Sequence, residues 1–180
     1  MTTRTNRERP AELPPIEDVA LRILGARDHS RLELRNKLLR RGYAEDAVEA
    51  LIARFCELRY LDDARFAKSL VRERLGVRAR GVHDAALRLR RAGIAGDEAK
   101  NALSEIGLEI DGKEVLLRLA IKKIALLKHE ESGKRRSKLA RFLLARGFSG
   151  EAVREVVDRL LSASADDAYE KEIDDDDDGA

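Results

Sequence analysis

Apolar residues recur along this chain at helical spacing, and three of the runs stop in the same way. Ile16, Val19, Ala20, Ile23 and Leu24 mark a first helix over Ile16 to Arg27. Ser30, followed by Glu33, is a capping-box pattern. It opens a second helix that carries Leu34 and Leu38 inward and ends at Gly42. Glu45 and Asp46 suit the positive N-terminal end of a third helix. That helix places Ala47, Val48, Leu51, Ile52, Phe55 and Leu58 on one face.

The same alternation of apolar stripe and break continues. Asp62 or Asp63 is a natural N-cap for a helix with Phe66, Ala67, Leu70 and Val71 inward. A connection from Gly76 to Gly81 leads to a helix ending at Ala92. Asp97 and Glu98 start the next, with Ala99, Ala102, Leu103 and Ile106 inward. After Gly112, Val115, Leu116, Leu119, Ala120, Ile124 and Leu127 define a longer helix running towards Glu130. Ser132–Gly133 is expected to break it, Lys134 to Arg146 to form the eighth helix, and Ala152 to Leu161 the ninth. No stretch alternates with the period of a strand.

The stops are Leu38-Leu39-Arg40-Arg41-Gly42-Tyr43, Leu89-Arg90-Arg91-Ala92-Gly93-Ile94 and Leu143-Leu144-Ala145-Arg146-Gly147-Phe148. A glycine just past a helix can turn left-handed, which folds the next residue onto the last turn. Tyr43 should therefore meet Leu38, Ile94 meet Leu89, and Phe148 meet Leu143. Three such elbows at near-equal spacing indicate an internal repeat. The expected fold is all-α: three tandem three-helix repeats forming an elongated, curved molecule. Residues 1–15 are a flexible basic arm, 16–60, 61–108 and 109–162 the three repeats, and 163–180 a disordered acidic tail.

Charge changes this picture. The 180 residues carry a net charge of +2, but nine acids against one lysine lie beyond Ser162, so the rest is strongly basic. A basic body points to a polyanionic partner. The tail either competes for that basic face or merely keeps the chain in solution. One cysteine, Cys56, allows no internal disulfide and no cysteine-based zinc site, which suits a cytoplasmic protein. No run of apolar residues approaches the length that spans a bilayer.

Catalytic chemistry finds little support. His29, His83 and His129 fall in separate repeats and read as surface or capping residues. Cys56 has no histidine near it in sequence, and Asp62–Asp63 is explained by a helix cap better than by a metal. No phosphate-binding glycine loop occurs. No catalytic, cofactor or metal site is therefore expected. The signal is in the bases: Arg72, Arg74, Arg78, Arg80, Arg88, Arg90 and Arg91 form a central contact strip, which Lys134, Arg135 and Arg136 extend. Arginine suits bidentate contacts with phosphate or carboxylate. The aromatics lie on inward stripes or at helix stops, so no base-stacking platform is expected. Phe142 is off pattern, and reads as packing of its own repeat or as a contact.

Tyr60-Leu61-Asp62-Asp63-Ala64-Arg65-Phe66-Ala67 resembles the Y-L-[ND]-D-x-x-F-A signature of the RecX family. Ser30-Arg31-Leu32-Glu33-Leu34 with Leu38 to Tyr43, and the closing Arg146-Gly147-Phe148, are similar to two further blocks of that family. The resemblance runs from about Ile16 to Leu161. It implies a cytosolic regulator of the RecA recombinase that lies in the groove of the RecA–DNA filament, spans more than one RecA subunit, and limits filament growth, strand exchange and ATP hydrolysis. A monomer without enzymatic activity or cofactor is expected. The alternative is a direct DNA-binding protein that competes with RecA for DNA, since three-helix units resemble helix-turn-helix modules in outline.

Overall fold

The computed structural model describes the backbone of residues 13–174 and side chains as far as Ser162. Among these residues there are nine α-helices, one π-helical segment and no strand. The helices are α1 Ile16–Ala26, α2 Arg31–Leu39, α3 Glu45–Glu57, α4 Asp63–Arg72, α5 Val82–Arg91, α6 Gly96–Glu109, α7 Gly112–Ala125, α8 Ser132–Leu144 and α9 Gly150–Asp174. The all-α expectation holds, and so does the number of helices among the described residues.

Three local readings need correction. Ser132 and Gly133 do not break a helix; they open α8, with Arg135 N–H donating to Glu131 C=O at 2.8 Å. Glycine is tolerated there because first-turn amides have no intrahelical partner to lose. The connection after α4 is not a plain loop. Glu73–Val77 is π-helical, closed by Arg78 N–H on Glu73 C=O at 2.9 Å, and Ala79 follows with φ +47°. Finally, the backbone stays helical past Ser162, to Asp174. Ala163, Ala165, Ala168, Glu170, Lys171 and Glu172 are good helix formers, and no glycine intervenes before Gly179. Most of the expected basic arm (residues 1–12) and the end of the expected acidic tail (175–180) lie outside the described residues.

The described residues divide into two compact units, one within residues 13–66 together with 92–94, the other within 67–91 together with 95–174. In the first, α1, α2 and α3 pack on one another around Ala20, Leu34, Leu38, Val48 and Phe55. Each of these side chains is wholly buried. Removing a leucine such as Leu38 from water contributes about 2 kcal/mol. Phe55 meets Tyr60 edge-on, with ring centroids 5.3 Å apart. In the second unit, α7, α8 and α9 pack together around Leu116, Ala120, Leu139, Leu143, Val153 and Val157. There α5 packs on α6 and on the π-helical segment.

The elbow glycines are left-handed, as their position demands: φ is +91° at Gly42 and +83° at Gly93 and Gly147. At the first, Gly42 N–H donates to Leu39 C=O and Tyr43 N–H to Leu38 C=O, the two bonds of a Schellman stop. Two of the elbows have a further role. Ser30, the N-cap of α2, donates its hydroxyl to Ala92 C=O, beside Gly93. Gly81, just before α5, donates its N–H to Arg146 C=O at 2.9 Å, and His83 N–H reaches Gly147 C=O at 3.2 Å. Ser30 and Gly81 stand the same twelve residues ahead of their own elbow glycines. The start of a second helix thus docks on the elbow of the following helix group, in each unit once. The carbonyls exposed by one helix end meet donors from the start of another.

Candidate partner-binding surface

The ten basic residues expected to form a contact strip differ in what neutralises them. Arg72 donates to the Glu109 carboxylate from Nε and Nη2, one edge of its guanidinium, at 2.7 to 3.2 Å. Arg78 pairs with Glu73 at 2.9 Å, holding the π-helical segment. Arg74 meets Asp84 at 2.6 Å with only 12% and 20% of the side chains exposed, tying the segment to α5. Lys134 pairs with Glu131 at 2.7 Å, and Arg136 with Asp158. Arg135 donates to the carbonyls of Lys128 and Glu130, so it staples the α7–α8 connection.

Arg80, Arg88, Arg90 and Arg91 form no ion pair among the described residues. Arg80 is half-buried, whereas the other three are exposed on the last turn of α5. The helix dipole favours cations at that end but does not cancel their charge. Within the expected strip, Arg88, Arg90 and Arg91 are thus the exposed cations without an ion pair among the described residues.

Sequence reasoning missed a second cluster. Phe142, on α8, has Arg146 Cζ 4.5 Å and Lys123 Nζ 5.3 Å from its ring centroid. Neither cation pairs with a carboxylate among the described residues. Phe142 stood out by breaking the elbow pattern, but the two cations it gathers come from different elements, which no local pattern reveals.

The remaining candidates are structural. His29 is buried, at 3% exposure, and is not a surface residue. Its Nδ1 pairs with Arg27 C=O at 2.9 Å and its Nε2 with Lys37 Nζ at 2.7 Å. As lysine can only donate, Nδ1 carries the ring proton. Burial, more than the nearby Arg27 and Lys37 charges, pushes its pKa down. Burial likewise pushes the Cys56 thiol up, away from a reactive thiolate. Asp62 accepts from Arg65 N–H at 2.9 Å, the expected cap. Asp63 accepts from Arg31 N–H at 2.9 Å.

No group of three or more histidine, cysteine or acidic side chains is placed to hold a metal among the described residues. No described helix is long and apolar enough to cross a membrane. In the second unit a cleft of about 620 Å³ lies against Leu75, Val82, Leu108, Ile110, Phe148 and Ala152. It is mostly apolar; His83, Asp111 and Ser149 also line it, and Ser149 Oγ accepts from Ala152 N–H at 3.2 Å as a turn cap.

Known proteins match this chain along most of its length. Residues 18–55 match the first three-helix domain of RecX and residues 109–157 the third. A regulatory protein RecX of Prosthecochloris aestuarii is 36% identical over 79% of this chain and 91% of its own. One from Vibrio vulnificus is 35% identical over 78% and 92%. The crystal structure of RecX from Lactobacillus salivarius superposes with a TM-score of 0.68 at 26% identity, covering 81% of this chain and 94% of that one.

Proposed function

The chain belongs to the RecX family, and from that membership we propose that it regulates the RecA recombinase by binding RecA or the RecA–DNA filament. Binding limits filament growth, strand exchange and ATP hydrolysis. The chain acts as a cytoplasmic monomer, without enzymatic activity of its own. The likeness to curated regulatory proteins over about four fifths of the chain carries this reading. The exposed, unneutralised Arg88, Arg90 and Arg91 are its contact with the partner, since charge not spent within the fold is available to an anionic surface.

Reversing these three arginines to glutamate is the test. The variant is expected to lose most inhibition of RecA ATP hydrolysis and strand exchange while keeping its helical circular-dichroism signal. Undiminished inhibition removes the cluster from the contact. Binding to RecA without DNA, to DNA without RecA and to the assembled filament separates this reading from competition for DNA. Strong binding to free DNA alone would favour competition.

A further inference from the structure

We propose that Lys123 and Arg146, gathered on the ring of Phe142, form a sequence-independent site for the phosphate backbone of nucleic acid. The inference deepens the reading above, because a regulator of a DNA-bound filament would gain a foothold on the DNA itself.

Three elements build the site. Lys123 lies in the last turn of α7, Phe142 in α8, and Arg146 in the elbow after α8. The elbow is fixed: Arg146 C=O accepts from Gly81 N–H at 2.9 Å, and Gly147 is left-handed. Phe142 is partly buried against the core of α7–α9, so its ring has little freedom. The ring draws both cations to itself. Their charges sit at most about 10 Å apart, the sum of the two distances from the centroid.

Two like charges so close raise the local positive potential unless an acid answers them. None does among the described residues. The contrast with the other half of α8 is direct, since Lys134, Arg136 and Lys138 there pair with Glu131, Asp158 and Glu130. Lys122 and Arg141 neighbour the site in sequence, are exposed, and also form no ion pair among the described residues. The fold neutralises one end of α8 and leaves the other electropositive.

The ring decides which kind of nucleic-acid contact this is. A base stacks on an open aromatic face. Here cations lie at Phe142, so the site offers charge rather than a stacking platform. It holds phosphate and reads no sequence.

The experiment measures fluorescence anisotropy of labelled mixed-sequence single- and double-stranded DNA, with the full chain, over a salt series. Lys123→Gln with Arg146→Gln is expected to weaken binding several-fold, and each substitution to lower the salt slope by roughly 0.7 to 0.9. Phe142→Leu keeps both charges and a side chain that fills the core. It should leave the slope and weaken binding by about twofold to fivefold, since the cations are no longer gathered. An unchanged melting temperature in each variant shows that the fold is intact. Equal affinity and slope for wild type and the charge variant would overturn the site. Loss of binding to DNA-free RecA with DNA binding intact would also overturn it, in favour of an acidic protein surface. If the wild-type chain binds the RecA–DNA filament but not free DNA, this inference fails while the proposed function stands. If it binds free DNA alone, the proposed function fails while the site stands.

Discussion

The Ser30 hydroxyl donates to the Ala92 carbonyl at 2.6 Å, across 62 residues of sequence and wholly out of solvent. The same oxygen accepts from Glu33 N–H at 3.1 Å, so one side chain both caps α2 and joins it to an elbow. Ser30→Ala removes both bonds and leaves a buried carbonyl without its partner. The cap contributes about 1 kcal/mol and the orphaned carbonyl about 1 to 3 kcal/mol. Ser30→Gly keeps much of the capping preference but not the joint. Urea unfolding should therefore find both variants well below wild type, with Ser30→Thr close to it. A Ser30→Gly variant as stable as wild type would show that the joint contributes nothing.

The three elbow glycines should differ in what they tolerate. At Gly42 a methyl group would meet only the Leu13 side chain, at 3.8 Å. At Gly93 it would stand 2.8 Å from Leu32 Cδ2, which can swing away, and 2.9 Å from Leu32 Cβ, which can move only with its backbone. At Gly147 it would stand 2.6 Å from the backbone nitrogen of Asp84, which cannot. All three substitutions to alanine carry the cost of a left-handed backbone, about 1 to 2 kcal/mol. Gly147→Ala adds overpacking of about 1 to 3 kcal/mol, and Gly93→Ala less. The expected order of thermal stability is Gly42→Ala above Gly93→Ala above Gly147→Ala. Equal losses would mean that conformation alone requires glycine.

His29 gives the fold a pH dependence of known sign. Burial holds its folded pKa below the ordinary 6.5, so at mildly acidic pH the unfolded chain binds the extra proton first. Its contribution is fully present above pH 6.5 and declines as pH falls below it, until the folded form also protonates. Protonation would set a cation against Lys37 Nζ, 2.7 Å away. Chemical denaturation at a series of pH values from 7.5 to 5 should show wild type losing stability faster than His29→Gln. Parallel curves would place the pH dependence elsewhere.

The helix boundaries were legible because caps and stops are local. Ser30 with Glu33, Asp62, and the glycines at 42, 93 and 147 act within a turn of where they stand. The apolar stripe named most of the buried residues for the same reason, that helical spacing says which face turns inward, but Ala47 and Leu58, at the two ends of the α3 stripe, are exposed. It does not say what covers that face. Ser30 and Ala92, or Gly81 and Arg146, meet only because the chain brings distant residues together. The π-helical segment was illegible because Glu73–Val77 has the composition of an ordinary helix with one glycine. The ion pairs within the basic strip are illegible for a related reason: Glu109 lies 37 residues from Arg72, so a run of arginines looks uncompensated in sequence.

That sorting of arginines makes the last prediction. Arg74 and Asp84 are largely shielded from water, and their pair joins the π-helical segment to the first turn of α5. Arg72 and Glu109 are about half exposed. A solvent-exposed pair contributes at most about 1 kcal/mol even with good geometry. Removing one member of a shielded pair strands the other, at about 2 to 3 kcal/mol. Arg74→Met should therefore lower the urea midpoint markedly, and Arg72→Met barely. Neither should behave like reversal of Arg88, Arg90 and Arg91, whose charge holds nothing together within the described fold. Stability and RecA inhibition measured on all three variants separate structural arginines from those available to a partner. A stable Arg74→Met variant that loses inhibition would return Arg74 to the contact surface.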